Sequence, residues 1–265
     1  MLLSTSLMRS GGTHKVQSCS FKNLGAATVF GPLDGAHVTI GGAASKGNVF
    51  ENVYYGCEID DLSNCTLEIS HNQISDVRVS GMAVTQGYLY GFINEYPSEV
   101  SQLMIRHNII QSREHAHGVD LIDYSSNDGG AKLMNLNFML NEIQVSGDAE
   151  GIYCLGIKDA FFNSNKVYGS ALFGTSLENA AGCNIVNNNY EGFVPAYADI
   201  ILTGSTMNNK VVCGRYESDV WDFGTDNDVV CPGFDFRSDA SNTAQNMETL
   251  TERRANTQFP WLIKK

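Results

Sequence analysis

The residues best suited to chemistry lie between Glu58 and Tyr153. The run QSREHAHGVDLID, residues 111–123, places Arg113, Glu114, His115, His117, Asp120 and Asp123 within one short stretch. Histidine titrates near neutral pH, so His115 and His117 are candidate proton shuttles. They alternate, so an extended segment turns both to one side. With Asp120 they also form a candidate metal set, although that spacing is equally common among surface histidines. Asp120 is the candidate acid. Burial beneath a neighbouring loop would raise its pKa, while a more exposed Glu58 would stay ionised. Asp123 points to the opposite face if the strand stays regular.

Two reactions fit these groups. Glycoside hydrolysis needs two carboxyl groups flanking the scissile bond. Glu58 and Asp120, two rungs apart at ~4.8 Å per rung, bring their backbones within roughly 9–10 Å, near the roughly 6.5–9.5 Å of an inverting pair. Elimination from a uronate needs a base and neutralisation of the uronate charge, and Arg113, His117 and Tyr153 are the candidates. Substrate contacts are expected from Arg113, Glu114 and His115, and from aromatic loop residues. Tyr88, Tyr90, Phe92 and Tyr96 fall in GYLYGFINEYP, residues 87–97, and Tyr124 opens YSSNDGG, residues 124–130. Flat aromatic faces suit sugar rings, and the same residues also suit plain loop anchors.

A repeat must position these residues. LEISHNQISDV (67–77), LMIRHNIIQSR (103–113), LNFMLNEIQVS (136–146), AFFNSNKVYGS (160–170) and CNIVNNNYEGF (183–193) share one frame. Each has an apolar-x-apolar triplet, two residues and an Asn: Asn72, Asn108, Asn141, Asn165 and Asn188, with weaker copies at Asn23 and Asn52. Short strands lie between the copies, often led by Gly, as in GCEI (56–59), GMAV (81–84), GVDL (118–121) and GIYC (151–154). Ala171–Phe173, Ile200–Leu202 and Val220–Phe223 read as later versions. Short alternating strands repeated at coil-sized intervals predict an all-β solenoid of stacked parallel strands. The Asn residues are expected at bends in the left-handed conformation, with their amides bonded along the stack. Aligned strands put Cys57, Met82, Val119, Ile152, Ala171, Ile200 and Trp221 inward. Glu58, Ala83, Asp120, Tyr153, Leu172, Ile201 and Asp222 then face outward, polar first and apolar later.

The Asn-marked coils and Gly-led strands, over roughly residues 15–230, resemble the right-handed parallel β-helix proteins of the pectin-lyase-like superfamily. That group includes pectate lyases, polygalacturonases, alginate-processing enzymes and phage tailspikes. The resemblance implies eight to nine coils and a polysaccharide bound across the Gly-led strands. It also implies a glycoside hydrolase or polysaccharide lyase, or a non-catalytic tail-fibre piece, with a homotrimer favoured and an extracellular or virion-associated location. None of that group's catalytic motifs is matched, so no catalytic residue carries across. Residues 1–231 are expected to form the β-helix, and 232–265 a cap with a short helix and an extended apolar tail.

Composition narrows the partners. With 17 basic and 29 acidic residues the net charge is −12, so nucleic acid and anionic membrane surfaces are poor partners. No apolar run is long enough for a transmembrane helix, and the opening MLLSTSLMR is too short and polar for a signal-peptide core. The seven cysteines are odd in number and widely spaced, so buried free thiols are expected. No cofactor is expected, except that Asp222, Asp226 and Asp228 offer a Ca²⁺ reading against the plainer one of a solvated turn. Leu172 and Ile201 on the outward line predict an apolar patch covered by the tail or by a second subunit.

Overall fold

The computed structural model describes residues 12–30, 33–60, 62–86, 102–123, 135–213 and 218–231. Within them the chain is all-β and its strands are parallel. The one helical element among the described residues is a single 3-10 turn, Ala44–Lys46. No helix among them is long and apolar enough to cross a membrane. The expected cap and tail, 232–265, lie outside the described residues.

Nine strands form one sheet in chain order: Gly12–Val16, Ala36–Gly41, Thr66–Ser70, Gln102–Arg106, Leu136–Met139, Phe161–Asn163, Asn184–Val186, Lys210–Val212 and Asp228–Val230. The second sheet has eleven strands in two parallel stacks. Val49–Asp60 pairs through its first residues with Gln73–Val77, and through its last with Ser80–Gln86. Ile109–Glu114 and Glu142–Ser146 continue the first stack, while His117–Asp123 and Glu150–Leu155 continue the second. Both stacks rejoin at Lys166–Glu178 and run on to Phe193–Thr203. The chain therefore visits the nine-stranded sheet and both stacks in turn, and each visit adds a rung. A further pair, Leu33–Asp34 with Leu62–Ser63, stands apart.

One apolar core runs between the sheets. Phe50, Ile69, Ile105, Phe138, Phe162 and Ile185 all lie in it, fully or almost fully buried. The alternation of the triplets supplies this core, because every second side chain of a strand faces inward.

The asparagine ladder is real and starts one rung before the five strong copies. Asn48, Asn72, Asn108, Asn141, Asn165 and Asn188 are buried, and each amide nitrogen donates to the next amide oxygen at 2.9–3.0 Å. Each oxygen also accepts the backbone N–H of the preceding Asn, at 2.8–3.1 Å. Three corrections follow. At the five buried copies the left-handed residue is the one before the Asn, at His71 (φ 58°), His107 (φ 55°), Leu140 (φ 56°), Ser164 (φ 54°) and Asn187 (φ 52°), whereas Asn23 (φ 57°) and Asn52 (φ 54°) are themselves left-handed as expected. The first rung is Asn48, while Asn23 and Asn52 form a separate exposed pair. A second ladder, Asn209 to Asn227 at 3.0 Å, holds the opposite corner near the last rungs.

The cysteine expectation holds in part. Cys57, Cys65, Cys154 and Cys183 are free and buried, and burial pushes the Cys57 and Cys183 thiols up to about 12, which makes them inert. Cys213 and Cys231, however, form a disulfide with Cα atoms 4.7 Å apart. They follow Val212 and Val230, which are register partners, so the bond ties neighbouring rungs.

Asp199 carries a testable pH dependence. It is buried, it accepts the Asp219 N–H at 2.9 Å, and burial raises its carboxyl from 3.8 to about 6. The raised value means that stability is full below the unfolded pKa and is lost as pH rises through about 6. Asp199→Asn keeps an acceptor for Asp219 and removes the charge. Its melting temperature should match wild type near pH 4 and exceed it above pH 6, by an equivalent of up to about 3 kcal/mol. A difference independent of pH would refute this.

Candidate functional site

The site stands on the second stack, and glycine explains its register. A Cβ on Gly81 would lie 2.6 Å from the Gly118 carbonyl oxygen and 2.5 Å from Ile110 Cγ2. Gly56 faces the Gly81 carbonyl in the same way, and Gly118, Gly151 and Gly174 continue the column. None of these five has a positive φ, so the need is for space rather than for an unusual backbone. The column locks the residues that follow each glycine into line.

Outward register partners are Glu58, Ala83, Asp120, Tyr153, Ser176, Ile201 and Trp221. Four rungs match the sequence-based alignment and one later rung, Ile201, also matches. Two do not. The fifth strand reads Gly174-Thr175-Ser176, four residues beyond Ala171-Leu172, and the last places Val220 inward and Trp221 outward. Leu172 therefore leaves the outward line, and it and Ile201 are buried with Phe173 and Ala198 in a small cluster of their own. The patch was expected beneath the tail or a second subunit; among the described residues Tyr197, Trp221 and Phe223 pack against the cluster, and the tail lies outside them.

His117 and Asp120 meet directly, with Nδ1 2.8 Å from Oδ1. Their side chains are only 8% and 13% exposed, so the pair is screened from water. With Asp120 as a carboxylate, which only accepts, Nδ1 is the donor in this contact. That is the arrangement in which a carboxylate orients a histidine base. Tyr153, on the next rung from Asp120, meets the His117 ring edge-on at 6.1 Å. Its hydroxyl donates to Glu178 Oε2 at 3.1 Å. Glu150 is fully buried on the strand beside His117. Glu58 is half-buried, two rungs from Asp120 with Ala83 between, as the spacing predicts.

Other candidates go elsewhere. His115 is an exposed residue at the bend (φ 67°) and accepts the Asp148 N–H at 3.0 Å, whereas His117 is buried. The two histidines do not share a face, because the bend breaks the alternation. Glu114 is exposed and 3.7 Å from the His115 ring. Arg113 is held by Asp76 on the adjacent strand of its own stack, the first, and reaches Asn52 at 3.4 Å. Asp123 is fully buried and takes no part in the outward column. Tyr88, Tyr90, Tyr96 and Tyr124 lie outside the described residues.

Glu178 and Glu150 were missed by sequence reasoning. Glu178 was within reach of it: GTSLE, residues 174–178, is itself a Gly-led strand. Glu150 precedes the glycine of its own strand, and the frame used for alignment started one residue too late.

Asp222 Oδ1 accepts the Gly224 N–H and the Asn227 amide at 2.9 and 2.8 Å, and Asp228 sits 3.6 Å from Lys210. Two of the three acids of the Ca²⁺ reading thus have turn-forming or ion-pair partners. Among the described residues no three His, Cys, Asp or Glu side chains cluster as a metal set.

Fold and site together define an all-β protein of parallel strands with a screened Asp–His pair on the outward side of one stack. The chain matches no protein-family model, no curated protein and no solved structure.

Proposed function

We propose that this chain is a right-handed parallel β-helix of eight to nine coils, of the pectin-lyase-like kind, that binds a polysaccharide and cleaves it on the outward face of the Gly-led strands. The observation that carries the reading is the 2.8 Å contact between His117 and Asp120, with Tyr153 on the adjacent rung. Burying an ionisable pair is costly, and a titratable pair held in place beside further carboxylates marks a candidate site. In this reading Asp120 orients His117, and His117 moves the proton. Glu58, two rungs from Asp120, and Glu178, which accepts the Tyr153 hydroxyl, are both half-buried. Homotrimer assembly and a virion-associated or extracellular location belong to the same proposal.

The second reading is a glycan-binding β-helix without catalysis, such as a tail-fibre piece. The burial of His117 and Tyr153 favours it over catalysis, since a base must come within hydrogen-bond reach of the proton that it takes. Incubation with a polysaccharide panel separates the two, followed by reducing ends and by ultraviolet absorbance of unsaturated product. Reducing ends alone mean hydrolysis, and both signals mean elimination. Binding with neither signal means the non-catalytic role, and no binding to any polymer rejects both readings.

A further inference from the structure

We infer that His71 and His107 form a two-imidazole site for a divalent transition-metal cation, Cu²⁺ ahead of Ni²⁺ and Zn²⁺, which clips two neighbouring rungs at the corner held by the asparagine ladder. The inference goes beyond the glycan reading and does not depend on it.

The repeat brings the pair together. LEISHN (67–72) and LMIRHN (103–108) each place a histidine directly before a ladder asparagine. The strands that carry them pair in register, Ser70 with Arg106. The backbone N–H groups of Gly42, His71, His107 and Leu140 donate to the carbonyls of Ser70, Arg106, Met139 and Asn163. Each acceptor directly precedes the next member of the series, so the four residues occupy one column of the corner. Both histidines are left-handed, with φ 58° and 55°, so their side chains leave the backbone in the same way. His71 is half-buried and His107 is exposed. Their rings stack with centroids 4.8 Å apart and planes 19° from parallel.

The ring nitrogens suit a cation. His71 Nδ1 lies 2.6 Å from the Gly42 carbonyl oxygen. A carbonyl only accepts, so Nδ1 donates, and in the neutral ring Nε2 keeps the lone pair. A backbone carbonyl that holds one ring nitrogen while the other coordinates is the common support of a metal-binding histidine. The His107 ring has no hydrogen-bond partner among the described residues, so it can turn. A cation at ~2.0–2.1 Å from each nitrogen holds the two at most about 4 Å apart, and a tilt of the exposed ring supplies that approach. Arg106, beside His107, is engaged by Glu68 at 3.0 Å, and the Glu68 carboxylate is itself close enough to His71 to interact with its charge. Imidazole suits Cu²⁺, Ni²⁺ and Zn²⁺, and the general affinity order puts Cu²⁺ first. Water completes the coordination, because no third His, Cys, Asp or Glu joins the pair among the described residues. The two ligands come from different rungs, so the cation favours the folded chain and stabilises it.

The test uses the intact, untagged chain. NiCl₂ is the probe for calorimetry and thermal unfolding, and one equivalent of CuCl₂ is the probe for electron paramagnetic resonance. The variants are His71→Asn and His107→Asn, with His115→Asn as the control. Asparagine tolerates the left-handed conformation that all three positions adopt, and circular dichroism checks that each variant is folded. The wild type should bind Ni²⁺ at one site and melt higher with it, and its Cu²⁺ spectrum should show two imidazole nitrogens. Either pair variant should weaken binding by at least about tenfold, lose the thermal gain and show fewer than two imidazoles. His115→Asn should match the wild type. Absence of saturable binding, a wild-type Cu²⁺ spectrum with a single imidazole, or undiminished binding in either pair variant would overturn the inference. So would a loss confined to His115→Asn. The glycan reading stands in every case.

Discussion

Gly81→Ala should cost at least about 3 kcal/mol, the upper part of the overpacking range, and lower the melting temperature by roughly 6–12 °C. The new Cβ would enter the Gly118 carbonyl at 2.6 Å and the Ile110 methyl at 2.5 Å. Neither neighbour is free to give way. The carbonyl belongs to the next rung, and Ile110 is fully buried in the core. The two rungs must separate, and that separation also disturbs Ser80, Met82 and Ala83, which hold the line leading to Asp120. Gly25→Ala is the control. It too lies in a strand, but its Cβ would meet nothing within 4 Å. Equal losses in the two variants would refute the steric account of the glycine column.

Asn108→Ala should be nearly as damaging, for a different reason. The Asn108 oxygen accepts both the backbone and the amide N–H of Asn72 at 3.0 Å, and its amide donates to Ile69 at 2.9 Å and to Asn141 at 3.0 Å. All of these groups are buried. Alanine strands the Asn72 backbone N–H and removes one partner each from the Asn72 amide, the Ile69 carbonyl and the Asn141 oxygen, at about 1–3 kcal/mol for a buried polar group stranded. Asn137→Ala, on a half-buried outward position of the nine-stranded sheet, should change stability by no more than about 0.5 kcal/mol. Thermal unfolding of the two variants side by side checks this. Similar shifts would mean that the ladder contributes little.

The sequence carried the strands because their pattern is local: apolar-x-apolar before an Asn needs no knowledge of the rest of the chain. It carried the first four outward rungs because Gly56, Gly81, Gly118 and Gly151 mark them. It lost Asn48 because a 3-10 turn, Ala44–Lys46, lengthens that corner and shifts the Asn away from its triplet. It lost the Thr175 rung because Lys166–Glu178 runs unbroken through both stacks, so no turn residue separates the two parts. At the five buried copies the left-handed residue was misplaced by one, though Asn23 and Asn52 adopt it themselves. A bend has room for one strained backbone position and one buried amide, and composition alone does not say which comes first.

At the site, the sequence brought His117, Asp120 and Tyr153 together correctly. All three lie on strands whose register the glycines fix. Arg113 and His115 fall on the bend before that strand, where alternation no longer predicts direction. The Cys213–Cys231 bond was hidden for a related reason. Eighteen residues apart, the two cysteines become neighbours only once the last rungs are stacked.

The central claim is that a glycan is worked on at the outward face beside His117 and Asp120. A crystal structure of Asp120→Asn soaked with oligosaccharides of whichever polymer the wild type retains tests it most directly. The account predicts sugar density on the outward side between Glu58 and Glu178, with a ring oxygen or hydroxyl within hydrogen-bond distance of position 120 or of His117. Sugar bound instead against the nine-stranded sheet, with the His117 strand bare, would contradict it.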